Sequence, residues 1–166
     1  MFVIQSAFIA ILTFLDIASP DHRHYKSSNI SFEKEVILLV NQHRVNYGLK
    51  PLSIDIDLTQ AARYHALDMG INNYFSHDSK VYAGIKQSSY RPFYERVKEF
   101  FKQTSYLGEN IAAGHVDPVS VVDGWMKSKG HRENILNPKW SHIGVGYIYV
   151  DESTYGHYWV QEFAGF

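Results

Sequence analysis

The 166-residue chain contains no cysteine. That absence excludes disulfides, thiolate metal sites, a cysteine nucleophile and attachment through a lipidated cysteine, so a metal has only His, Asp or Glu to hold it. Net charge is nearly absent as well: 16 Lys and Arg against 17 Asp and Glu leave −1. A chain so balanced exerts no overall pull on polyanions, and nucleic acid is not an expected partner. No apolar run reaches the roughly 20 residues of a membrane-spanning helix. There is no His-x-x-x-His, no Gly-x-Ser-x-Gly, no phosphate-binding glycine loop and no internal repeat. What remains is a globular composition, 45% hydrophobic, 20% charged and 15% aromatic, at a length suited to one domain.

The first segment, MFVIQSAFIAILTFLDIASP, is apolar from about Phe8 to Leu15 and is followed by the polar stretch DHRHYKSSN. Its length resembles the hydrophobic region of a signal peptide, although no Lys or Arg precedes it and Asp16 and Pro20 interrupt the small-residue cleavage pattern. The expected organisation is a signal-like segment at 1–19, a linker at 20–30 and one domain at 31–166, exported to the outside or to the surface of the cell envelope.

Ser31 reads as the N-cap of a helix that carries Phe32, Val36, Leu39 and Val40 on one face and ends near Gly48. A second helix is expected after Asp57, with Leu58, Ala61, Ala62, Ala66 and Met69 at helical spacing, and His65 on that stripe reads as a core residue. Between Ile71 and Gly108 the periodicity weakens and tyrosines and phenylalanines accumulate, with a short helix near Phe93 to Phe101. These rings either form a groove that stacks on sugars or lipids or pack beneath a long irregular connection, and packing is the expected role. Asp117-Pro118 opens another helix, which Gly130 is expected to stop. HIGVGYIYV and HYWVQEFAGF then read as an antiparallel hairpin. With helices first, strands last and no βαβ alternation, the class is α+β or a helix–sheet–helix sandwich.

Three polar residues fall at the ends of these elements: His77 after the second helix, Glu109 where irregular chain gives way to an expected strand, and His131 after the Asp117 helix. Two imidazoles and a carboxylate equip a cleft for divalent-metal binding or for proton transfer.

The ordered set VNQHRVNYGLKPL, AARYHALDM, NNYFSHDS, GENIAAG, VVDGWMKSKGHRENILNPKWSHIGVGY and YWVQEFAG resembles the CAP superfamily, also called SCP/PR-1-like, and more narrowly its cysteine-free bacterial branch. The resemblance runs from about Glu35 to Phe166. It implies an α-β-α sandwich with a small antiparallel sheet between helical layers, and a cavity lined by two histidines and two acids. His77, Glu109 and His131 match three of those four. The family's second glutamate falls at Ser128, which leaves a weaker cage for a metal and one base fewer for hydrolysis. Asn41 and Arg44 match the family's Asn-x-x-Arg pattern and are expected as scaffold, Arg44 bridging carbonyls or a carboxylate. Asn110 is expected to tie down the turn beside Glu109, and Gly144 and Gly146 to let a strand approach a helix closely.

Members of the family are associated with sterol or lipid binding, with metal binding, with occasional proteolysis and with host interaction. The expectation here is a monomeric, non-enzymatic domain that binds a small lipid- or sterol-like ligand or an extracellular protein, attached to a membrane at most through its N-terminal segment. Zinc or another divalent cation is expected to bind weakly at His77 and His131. The alternatives are a metal-dependent hydrolase with Glu109 as base, and a protein whose function lies on the aromatic stretch.

Overall fold

The computed structural model describes residues 25–83, 86–103 and 106–166, so the signal-like segment lies outside the described residues. In chain order the elements are α1 (Ile30–Asn46), β1 (Ser53–Ile54), α2 (Ile56–Ile71), β2 (Ser79–Ala83), β3 (Lys86–Arg91), α3 (Phe93–Phe100), β4 (Tyr106–Ala113), α4 (Pro118–Lys127), α5 (Lys129–Ile135), β5 (His142–Tyr149) and β6 (His157–Gly165).

Helix starts follow side-chain caps. Asn29, and not Ser31, caps α1: its Oδ1 accepts from Ser31 N at 3.0 Å and from the Ser31 hydroxyl at 2.7 Å, which places Ser31 inside the first turn. Asp55 caps α2 through Leu58 N at 2.9 Å, so the helix begins at Ile56, before Asp57. Asp117 caps α4 through Ser120 N at 2.8 Å, as its sequence indicates. Gly130 stops nothing. Helix α4 ends where Ser128 turns extended (φ −82°, ψ 126°), and Gly130 lies within α5.

The main sheet has the order β1-β5-β6-β4, antiparallel except for the two-residue parallel pairing of β1 with β5. Alternation along β5 and β6 builds two layers. Ile143, Val145, Tyr147, Trp159 and Phe163 pack with α1 and α4 residues such as Val36, Val40, Val122 and Trp125. On the other face Ile148, Tyr158 and Val160 meet Ala62, Ala66 and Met69 of α2, while Ala164 meets Leu58, Val97 and Phe101. The result is an α-β-α sandwich. Gly144 and Gly146 allow α2 to lie on the sheet: a Cβ on Gly144 would sit 2.2 Å from Leu58 C, and one on Gly146 would sit 2.3 Å from Arg63 N.

The scaffold residues join the layers. Arg44, fully buried, donates to the carbonyls of Lys50 (3.0 Å), Ile135 (2.7 Å) and Asn137 (3.0 Å), and among the described residues no carboxylate pairs with it. Asn41 pairs with the Leu52 backbone in both directions, at 3.0 and 2.8 Å. Part of the stretch read as a linker is tied to the domain. Ser28 N donates to Tyr147 O at 3.1 Å, Tyr149 N to the Ser28 hydroxyl at 2.9 Å, and Arg63 to Tyr25 O at 3.2 Å.

The aromatic stretch divides. Tyr74 and Phe101 are buried, and Phe93 and Phe100 pack against the core. Tyr82, Tyr90 and Tyr94 are exposed, the first two on a β2–β3 hairpin that the sequence did not announce, because its strands bury too little to impose alternation.

Candidate functional site

Helix α2 ends at Ile71 with Asn72 as its C-cap, and the chain reverses through Asn73 in the left-handed region (φ 48°), which sends Ser76, His77 and Asp78 back toward the outer edge of β4. On the other side of that edge, Asn110 of β4 donates to His131 O at 3.2 Å, and Asn134 of α5 donates to Glu109 O at 3.0 Å and to Asn110 Oδ1 at 3.1 Å. Asn110 therefore pins helix to strand, and not a turn. Between these walls lies a cleft of about 460 Å³ that brings together His77, Glu109 and His131, with Ser128 at its margin.

Glu109 is buried, and both its oxygens are engaged. Oε1 accepts the Nδ1–H of His77 at 2.7 Å, and Oε2 takes a short bond from Arg96 Nη2. Arg96 also donates to His77 O at 2.8 Å and to the Ser79 hydroxyl at 3.2 Å. Directly across the sheet from Glu109 stands Glu162, whose Oε1 lies 3.5 Å from Arg96 Nη2. His65 closes the cluster from α2, with Nε2 2.9 Å from Ser76 O and 4.0 Å from Glu109 Oε2.

Sequence reasoning missed Arg96 and Glu162 and set His65 aside as core. The usable signal was a charged or polar residue at a core-facing position: Glu162 follows Tyr158 and Val160 at period two, and Arg96 precedes the buried Val97.

One guanidinium shared by two carboxyls separates their protonation. Burial pushes Glu109 up, but Arg96 and the neighbouring histidines outweigh it and hold the carboxyl at about 2. Burial and then the Glu109 charge raise Glu162 well above the usual carboxylate range, so it releases its proton at higher pH than Glu109 does. Burial, then Arg96, lowers His65 to about 3. Burial, then charge on His77, lowers His131.

These shifts set a pH profile. Below 6.5 the unfolded chain gains a proton at His65 that the folded chain refuses until about 3, which favours unfolding as pH falls. Above 4.5 the folded chain holds a proton on Glu162 that the unfolded chain releases, which favours unfolding as pH rises toward the raised Glu162 value. Between 4.5 and 6.5 the two oppose each other. Below 4.5 only the losses remain, His65 joined by Glu109 down to about 2. Thermal melts are expected to show a steep acid limb below pH 4.5 and a weaker dependence just above it, where the two groups oppose each other. Glu162→Gln removes the opposing proton, so stability should climb more steeply with pH above 4.5 in that variant than in the parent, and an unchanged profile would contradict the assignment of its proton.

The sequence profile of the cysteine-rich secretory protein (CAP) family matches residues 37–163. The chain is 45% identical over 139 residues to the uncharacterized protein YkwD of Bacillus subtilis, covering 84% of this chain and 49% of that protein. It is 38% identical over 131 residues to the uncharacterized membrane protein YlbC of the same bacterium, covering 79% of this chain and 35% of that one. The chain thus spans half or less of the length of these relatives. Among solved structures, an extracellular SCP-domain protein of Bacillus anthracis matches with a TM-score of 0.67 at 32% identity, over 82% of this chain and 41% of that one. An outer surface protein of Borrelia burgdorferi matches with a TM-score of 0.70 at 19% identity, over 86% of this chain and 98% of that one, a likeness of fold alone. With the family profile covering most of its length, the chain belongs to the CAP family, and its lack of cysteine fits the cysteine-free branch.

Proposed function

We propose that this chain is the ligand-binding domain of an exported, envelope-facing protein, and that the cleft between His77 and His131 receives a polar ligand without turning it over. The lining carries the proposal. Besides His77, Glu109 and His131 it consists of Asn110, Ser128, Gly130, Glu133, Asn134 and Asn137, with no apolar side chain among them. A lipid tail or sterol would find no hydrophobic wall there, whereas hydroxyl and amide groups would find donors and acceptors. Export is supported by the signal-like segment and by the extracellular and outer-surface proteins that share the fold.

The same geometry weighs against hydrolysis. A general base works best with a pKa near the working pH, and Glu109, held at about 2 with both oxygens bonded, is far from that. Ser128 supplies no second carboxylate, and Glu133 reaches the cleft from an exposed position. A peptidase activity abolished by Glu109→Gln would overturn the non-catalytic reading.

The donor set suits an exchangeable divalent ion. Nδ1 of His77 lies 2.7 Å from Glu109 Oε1, which leaves Nε2 as the nitrogen to face an ion, the carboxylate-oriented arrangement that zinc-binding imidazoles use. His131, lowered by burial, offers a second neutral ring. Glu109 orients His77 and does not itself point to the ion, and among the described residues no group of three or more His, Asp or Glu is disposed to hold a metal. Zinc would act there as a Lewis acid toward a ligand oxygen. Calorimetric titration of the full chain is expected to show weak zinc binding, lost in His77→Ala and in His131→Ala and reduced about tenfold in Glu109→Gln. Unchanged binding in both histidine variants would remove the metal from this cleft.

A further inference from the structure

We infer that the β2–β3 hairpin is a second binding surface, shaped for an anionic glycan, and that it operates independently of the cleft. Residues 79–91 carry Lys80, Lys86 and Arg91 and no acidic residue, in a chain whose net charge is −1. Their two faces differ. On the inner face Ser79 is buried and its register partner Arg91 pairs with Glu99 at 2.6 Å and with the Tyr64 hydroxyl at 2.9 Å, which anchors the hairpin and neutralises that cation. On the outer face Lys80 stands opposite Tyr90, with its Nζ 4.9 Å from the centre of the Tyr74 ring.

Tyr82 and Tyr90 are 41% and 58% exposed. A two-stranded ribbon is marginal by itself, and large rings left open on one add nothing to its stability. Exposed rings do have a use where a ligand brings its own C–H face, and a tyrosine also offers a hydroxyl to the hydroxyls around that face. Among the other exposed residues Gln87, Ser88 and Ser89 are hydrogen-bonding, and the apolar Val81 and Ala83 are separated from one another by Tyr82 and do not form a continuous face. Lysines beside stacking rings, with amide and hydroxyl side chains between them, fit a sugar chain carrying phosphate or carboxylate groups better than they fit a bilayer, which needs a continuous apolar face. The net charge of the whole chain hides this local excess.

The test uses the full chain and a soluble, glucosylated poly(glycerol phosphate) followed by fluorescence anisotropy, with an uncharged glucan, phosphatidylglycerol vesicles and a DNA duplex as competitors. Binding is expected to weaken with added salt. It should fall about tenfold in Tyr82→Ala/Tyr90→Ala and in Lys80→Ala/Lys86→Ala, and stay unchanged in Lys50→Ala, an exposed lysine outside the hairpin. Tyr82, Tyr90, Lys86 and Lys50 are exposed and Lys80 is half-buried over the Tyr74 ring, and matched melting curves would show that the variants fold. Equal binding by the hairpin variants would overturn the inference. So would competition by the vesicles or the duplex as strong as that by the polymer itself, because either outcome reduces the surface to a membrane contact or to unspecific charge. Loss of zinc binding in the cleft leaves this test untouched, so the two readings fail separately.

Discussion

Gly146→Ala and Gly144→Ala are each expected to cost a large part of the folding free energy. Both glycines face the backbone of α2, not a movable side chain: the added methyl of Gly146→Ala would lie 2.3 Å from Arg63 N and 2.4 Å from Ala62 C, and that of Gly144→Ala 2.2 Å from Leu58 C and Thr59 N. Relief requires α2 to lift from β5, and α2 carries one whole layer of the core, Leu58, Ala61, Ala62, Ala66 and Met69, each fully buried. Overpacking against yielding side chains already costs about 1–3 kcal/mol, and a helix backbone yields less. Against a typical total of about 5–15 kcal/mol, the loss is expected to exceed about 3 kcal/mol. Urea titration by tryptophan fluorescence reads it directly. Gly130→Ala is the counter-test: a Cβ there meets nothing within 4 Å, and the position lies inside α5, so stability should rise by up to about 1 kcal/mol. Comparable midpoints for all three variants would refute the close-approach account.

Arg96→Met is expected to have the next largest effect. The fork of Arg96 is fully buried, bonded through one nitrogen to His77 O and the Ser79 hydroxyl and through the other to Glu109. Removing it strands a buried carboxylate beside a second carboxyl, and breaking a buried pair in this way costs about 3–5 kcal/mol. The variant is therefore expected to unfold near room temperature or to shift its denaturant midpoint by half or more. Adding Glu109→Gln removes the stranded charge and should recover part of the loss, while Arg96→Lys should not substitute, since a single ammonium cannot span both carbonyl and carboxylate in that geometry. A double variant no more stable than Arg96→Met alone would show that packing, and not the buried charge, governs the position.

The layers were legible because apolar periodicity carries them. Leu58, Ala61, Ala62 and Met69 announce α2, and HIGVGYIYV with HYWVQEFAGF announces β5 and β6. The same spacing signal failed for the β2–β3 hairpin, which buries little and so shows no alternation. Cap choice failed for a different reason: Asn29 and Ser31, like Asp55 and Asp57, are chemically equivalent candidates two residues apart, and only the packing of the first turn decides between them. For the site, resemblance brought His77, Glu109 and His131 to one place, and the cleft contains all three. It was silent on Arg96 and Glu162, which sit 13 and 53 residues from Glu109 and meet it only because β4 pairs with β6 and α3 folds over them. Partners created by strand register are invisible until the register is known.

Both outer edges of the main sheet are occupied. On β4 the carbonyls of Glu109 and Ile111 receive the Asn134 amide and the Trp125 indole at 3.0 and 3.2 Å, while on β5 the backbone of Tyr147 and Tyr149 is taken by Ser28 at one end and β1 covers the other. An open edge is a template on which a second chain can add as a strand, the first step toward fibrils and swapped dimers. With its ladder engaged at these points by its own side chains and N-terminal segment, the main sheet presents less open edge to another copy. That is a form of protection suited to a protein that has no disulfide to fall back on when it unfolds briefly among many copies of itself.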